Sequence, residues 1–209
     1  MSWLKPIVGV FNDRLKVKVF GDKRFASAEY NAIAYQVITD NRDTAKKVAP
    51  CIPGKSAEEY TPMMFDDTKA FVLYHKIITS SYEPYNGGPV FGRKSGMNIK
   101  GNAIMQMIIL ANRNTVRILP EEFESLVIVN FPQGTEAEFV SINPQLNGIL
   151  TTPKSSDLDY AKLWAQEYKG YDFNVNPDRM ILSVNYTIES IFKTGCFSLC
   201  DCQGEEPQQ

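Results

Sequence analysis

The stretch RMILSVNYTIESIF, residues 179–192, decides how the rest of the chain is read. Met180, Leu182, Val184, Tyr186 and Ile188 alternate with Ser183, Asn185, Thr187 and Glu189. Successive side chains of a strand point to opposite faces, so a period of two predicts a strand. One face is apolar and packed. The other carries Ser, Asn, Thr and Glu and is wet or faces an interface. One-sided burial of this kind belongs to antiparallel sheets.

Working outward, KAFVLYHKII at 69–78 sets Phe71, Leu73, His75 and Ile77 on one side, with Val72, Tyr74, Lys76 and Ile78 on the other. It is a strand with at least one buried face. AIMQMIILAN at 103–112 is the most apolar segment and is read as a central strand. EAEFVSINP (136–144) and AKLWAQEY (161–168) are read as further strands. RILPEEFESLVIVNFP (117–132) is a helix. Pro120 sits at its first position, Glu121, Glu122 and Glu124 load the positive end of its dipole, and Pro132 stops it. EPYNGGPVFGRKSGMNIKGN (83–102) is too long and glycine-rich for a tight turn and is read as a long mobile connection.

The first 60 residues are less legible. LKVKVF (15–20) alternates Leu15, Val17 and Val19 with lysines and suggests a short strand, and GDK (21–23) a turn. YNAIAYQVIT (30–39) fits helix or strand. APCIPGKS (49–56) is read as a loop on its prolines and glycine. Strands outnumber helices without regular βα alternation. The expected class is therefore α+β: a mostly antiparallel sheet with one principal helix, about 120–131, packed across it. Residues 1–195 are read as one domain, with 196–209 a polar, cysteine-containing tail.

Composition limits the function. An apolar fraction of 44% with 22% charged residues is that of a soluble globular chain. A net charge of −2 supplies no general field for nucleic acid or anionic membranes. The N-terminus lacks the pattern of a signal peptide, and no apolar run is long enough to span a bilayer. The chain is expected to be soluble and made in the cytoplasm.

Four features bear on chemistry. Ala49, four residues, then Gly54-Lys55-Ser56 fits a relaxed phosphate-binding loop. Such a loop needs a strand leading in, a helix following, and backbone N–H groups converging on the phosphates. Here the lead-in is polar, and Pro50 and Pro53 each remove an N–H. Cys196, Cys200 and Cys202 are spaced C-x₃-C-x-C, not the paired C-x₂-C of zinc ribbons. A fourth ligand would have to be Cys51 or His75. The plainer reading is thiols packed as small hydrophobes. His75 is the single histidine and sits in a strand, where a packed or partly solvated role is expected over a catalytic one. The carboxylates of Asp66, Asp67 and the three glutamates of the helix form no evident catalytic pair. Arg93, Lys94 and Lys100 form the one basic loop, the single candidate for nucleic-acid or interface contact, with a solvated loop the expected reading. No catalytic residue, cofactor or metal is assigned.

The order of elements is similar to that of tailed-bacteriophage tail-terminator and neck proteins. ANRNTVRILPEEFESLVIVNFP (111–132) resembles their strand–turn–helix core, and WAQEYKGYDFNVNPDRMILSVNYTIESIF (164–192) their closing strands. The likeness covers about residues 65–192. It implies a non-enzymatic virion component, made in the host cytoplasm. Its subunits would form a homo-oligomeric ring, usually of six, capping the tail tube and joining it to the neck. Its partners would be itself, tail-tube and neck or connector proteins, and passing DNA in the lumen, with no membrane. The extra N-terminal section departs from smaller terminators and leaves the station in the tail open. Two other readings stand beside it. One is a small nucleotide-binding protein or enzyme using Gly54, Lys55 and Ser56. The other is a metal-binding module on the C-terminal cysteines.

Overall fold

The structure, a computed structural model, describes residues 4–18, 21, 23–40, 47–54, 59–85, 98–129, 131, 134–137, 140–151, 164–171 and 178–193. It is α+β, with mostly antiparallel sheets. The chain opens with helix α1 (Leu4–Lys18) and a single 3-10 turn (Lys23–Phe25). Strands β1 (Glu29–Ile33), β2 (Tyr35–Asp40), β3 (Lys47–Pro53), β4 (Tyr60–Pro62), β5 (Phe71–Pro84) and β6 (Asn98–Asn112) follow. A one-turn helix α2 (Arg113–Val116) and helix α3 (Pro120–Val129) lead to β7 (Gly134–Ala137), β8 (Val140–Thr151) and β9 (Arg179–Lys193).

Six strands form one sheet in the order β1-β5-β6-β9-β8-β7. Among the described strands of this sheet only the β1·β5 pair is parallel. β2, β3 and β4 form a separate three-stranded antiparallel sheet. The strands read at 69–78, 103–112 and 179–192 lie side by side as β5, β6 and β9, with β6 and β9 inside the sheet. α3 begins at Pro120 with Glu121 and Glu122 in its first turn, as the dipole argument requires.

One face of the large sheet packs on the helices. Leu4, Ile7, Val8, Phe11 and Leu15 of α1, with Phe123 and Val127 of α3, cover Phe71, Leu73, Met105, Met107, Ile109, Leu182, Val184 and Tyr186. Among the described residues, the opposite face is covered at one end only. There Ala49, Cys51 and Met63 join Trp164 and Tyr168 against Val72, Tyr74, Ile108, Leu110 and Ile181.

Several expectations are corrected. Residues 15–18 end helix α1 and are not the start of a strand. The apolar positions 4, 7, 8, 11 and 15 make a helical stripe, of which the alternation at 15–20 sampled only the tail. α1 is therefore a second long helix beside the expected one. Residues 161–168 were expected as a strand, yet 164–167 form a helical turn. Trp164, Glu167 and Tyr168 are buried while Ala165 and Gln166 are exposed, a spacing of three and four. APCIPGKS is not a loop throughout: its first five residues lie in β3. Pro50 is tolerated there because its carbonyl side faces short β4, where it accepts from Met63 N–H at 2.8 Å. The ambiguous 30–39 segment resolves into two strands in different sheets. The segment 136–144 is split between β7 and β8. β5 and β6 both extend into the expected long connection, leaving 86–97, outside the described residues, between them.

Candidate functional site

The burial of the three central strands defines the surface of interest. In β6, every residue from Met107 to Asn112 is buried, whereas from Gly101 to Gln106 buried and half-buried residues alternate. β9 changes in the same way: residues 180–184 are continuously buried, and alternation begins at Asn185. In β5 the first five residues are buried and the last seven, Ile78–Pro84, are all exposed. The boundary crosses the sheet near the cross-strand row Lys76, Gln106 and Asn185. Among the described residues, the apolar cluster over the second face stops at this row.

The open face is polar by register. Thr79, Ile104, Thr187 and position 143 form one row, and Ser81, Asn102, Glu189 and position 141 the next. Lys100 lies 3.7 Å from Glu83 and 3.4 Å from Glu189, with Asn102 Nδ2 donating to Glu83 Oε1 at 3.1 Å. Nearer the boundary, Gln106 Nε2 donates to Ser183 Oγ at 2.8 Å. Asn102 Oδ1 and Asn185 Oδ1 are shielded from solvent with no hydrogen-bond partner among the described residues.

At the covered end the polar groups instead complete one another. His75 is fully buried; its Nδ1 lies 2.7 Å from the Tyr186 hydroxyl and its Nε2 2.8 Å from Asn12 Oδ1. Asn12 Nδ2 donates to the Asn31 carbonyl at 3.0 Å, which leaves Asn12 Oδ1 as an acceptor. The network therefore assigns the Nε2–H tautomer, with the Tyr186 hydroxyl donating to Nδ1. Burial lowers the His75 pKa from 6.5 to about 3, so the ring is neutral. Phe11 meets His75 edge-on and stacks on Tyr186, sealing the group from water. Asn12 was not foreseen, because the helix carrying it was not; its place beside Phe11 on the α1 stripe was the available signal.

Glu167 is likewise buried. It pairs with Lys76 through Oε1 and accepts from Gln36 Nε2 at 2.8 Å, tying the 164–167 turn to β5 and β2. Tyr168 donates to the Met63 carbonyl at 2.7 Å and lies 3.2 Å from the Tyr74 hydroxyl. Burial raises the Tyr74 and Cys51 pKa values, so both stay protonated. These are groups that hold the small sheet in place.

No family model matches this chain, and no curated protein matches it.

The sequence candidates fall as follows. Gly54 follows β3, and its N–H donates to the Glu59 carbonyl at 2.5 Å. A Cβ there would lie 2.6 Å from Glu59 Cβ, so close strand approach accounts for the glycine. Strand β4 then starts at Tyr60, where a phosphate-binding loop would need a helix. Lys55, Ser56, Arg93, Lys94, Cys196, Cys200 and Cys202 lie outside the described residues. Lys100 is in β6, not in a loop, and is ion-paired. Cys51 is buried in the small sheet's core, donating to the Ala49 carbonyl. Among the described residues no group of three or more His, Cys, Asp or Glu side chains converges on a metal position. Nor is any described helix long and apolar enough to cross a membrane.

The two carboxylates ahead of β5 hold local structure. Asp66 accepts from both the Thr68 backbone and hydroxyl, which lowers its pKa. Asp67 pairs with Arg179 at 3.1 Å and accepts from Asn112 Nδ2. Two polar clefts flank the helices. One, of about 320 Å³, is lined by Arg113, Arg117 and Asp178, and Arg117 there adopts a left-handed backbone at φ 52°. The other, of about 360 Å³, lies over α1 and β1 beside Lys5, Asn12 and Lys16.

Proposed function

We propose that this chain is a non-enzymatic structural subunit of a phage virion, a tail terminator or neck protein that assembles into a homo-oligomeric ring. The ring would cap the tail tube, join it to the neck and pass DNA through its lumen. The carrying observation is the open half of the large sheet, where seven consecutive residues of β5 are exposed beside a polar face. A surface of ordered strands with an outer edge that no described strand pairs suits a subunit completed by neighbours. The buried polar groups support the same reading, since His75 and Glu167 are consumed by packing and are not presented to a substrate. Strand, strand, acidic-start helix and long final strand follow one another from β5 through α3 to β9, although residues 164–167, expected among the closing strands, form a helical turn.

The test is assembly. Mass photometry and negative-stain microscopy of the full chain, alone and with a tail-tube protein, should show closed rings, six subunits being the expected number. A chain that stays monomeric in both conditions overturns the proposal.

A further inference from the structure

We infer that the open edge of β5 in one copy pairs with the open edge of β8 in the next, making the large sheet continuous between subunits. This rests on the ring assembly proposed above and names its contact.

Both edges of the six-stranded sheet are half covered, at opposite ends. On one edge, β1 pairs with β5 only from Val72 to His75, and no described strand lies beyond Ile78–Pro84. On the other, β7 pairs with β8 only from Val140 to Ile142, and no described strand lies beyond positions 143–151. Traced through the register, β1 lies at the level of residues 181–184 of β9, and β7 at the level of 188–190. A neighbour shifted along the strands therefore brings open edge to open edge and carries its β7 past the end of β5.

Direction fits as well. β5, β6, β9 and β8 are antiparallel at each step, so β5 and β8 run oppositely. Copies rotated about an axis inclined to the strands would pair these edges antiparallel, the favoured ladder, and shift them along the strands. The shift also has the right size. The middle of the open β5 edge, Ser81, is level with Glu189, and the middle of the open β8 edge is level with Val184. A stagger of about five residues across the four strands that repeat, β5, β6, β9 and β8, corresponds to a strand tilt of about 40°, within the range of closed sheets.

The composition of the β5 edge permits pairing. Ile78-Thr79-Ser80-Ser81 has no charge, and the first proline comes at Pro84. Exposed edges that must stay unpaired usually carry lysine, proline or inward-pointing charge. Backbone polarity supplies the docking groups. Ala34 N–H donates to the His75 carbonyl, so His75 turns its backbone away from β6. The register shift between Ile77 and Thr79 passes that orientation to even positions, which places the N–H and C=O of Ser80 on the open side.

Ser80→Pro removes that outward N–H without touching the β6 ladder, and Ser80→Ala is its side-chain control. Rings of wild type and Ser80→Ala, with Ser80→Pro reduced to monomers of unchanged circular dichroism, are the expected result. Hydrogen exchange needs no variant: the Ser80 amide should slow at least tenfold in rings relative to dissociated subunits. Rings that persist in Ser80→Pro, or a Ser80 amide that exchanges equally in both states, overturn this contact and leave the ring reading standing. Two-fold dimers that separate in Ser80→Pro would set β5 against β5 and also overturn it. Failure of the wild type to assemble at all overturns the ring reading itself.

Discussion

The two halves of β5 belong to one strand and have opposite surroundings. Phe71–His75 is buried on both faces, under helices on one side and the small sheet on the other. Ile78–Pro84 is exposed throughout. β6 and β9 change at the same row. The first half thus contributes to stability, through apolar burial and a closed polar network. The second half adds a ladder to β6 and the contacts of Glu83 with Lys100 and Asn102, with no described strand on its outer edge. A strand extended past its own cover orders residues at a cost of about 1–2 kcal/mol each, which intrasubunit packing there does little to offset. That imbalance is what a docking edge would show.

The sharpest way to break the comparison is at His75. His75→Leu leaves the Tyr186 hydroxyl and the Asn12 amide without their partner in a sealed core. The expected loss is about 3–4 kcal/mol, read as a lowered urea midpoint. The pH dependence follows from the same group. With a folded pKa near 3 against 6.5 when unfolded, the unfolded chain takes up a proton that the folded one refuses. Stability from the neutral ring is complete above about pH 6.5 and falls as pH drops from there towards about 3. The slope is about 1.4 kcal/mol per pH unit, and His75→Leu should lack that component. An identical acid dependence in the two proteins would show the ring to be solvated.

A smaller effect is expected in the cover over the buried half. Gly54→Ala drives a Cβ into Glu59 and should cost about 1–3 kcal/mol by thermal unfolding. If the variant is as stable as wild type, the hairpin is looser than this contact requires. The smallest effect belongs to the exposed half. Ser81→Ala should change subunit stability by less than about 0.5 kcal/mol in dilute denaturant titrations. A larger loss would mean that β5 is packed beyond its boundary within the subunit.

Legibility followed the same division. The alternation at 179–192 and the apolar run at 103–112 announced β9 and β6, because a strand period and an apolar run are local signals, even though Ser183 on the polar side of β9 is buried. α3 was readable because Pro120 and the following glutamates are local signals of a helix start. α1 was missed because lysines between Leu15, Val17 and Val19 imitate a strand over a short window, while its real stripe begins at Leu4. The 164–167 turn was missed because Trp164, Glu167 and Tyr168 show their spacing only over a single turn. The polar network of Asn12, His75 and Tyr186 was illegible for another reason: its members are separated by 63 and 111 positions, and no local rule joins them.

By itself, then, the sequence determined the strand and helix periods, the predominance of β structure and the polar character of one face of β9. These are properties of neighbouring residues, and steric and solvation preferences act there directly. Tertiary structure alone decided that Ser183 would be buried and Asn185 half-exposed two positions later, that Lys76 would meet Glu167, and that β5 would outrun its cover. Each depends on where the small sheet ends over the large one, which is settled by the packing of Cys51, Met63 and Tyr168 against Val72, Tyr74 and Ile181.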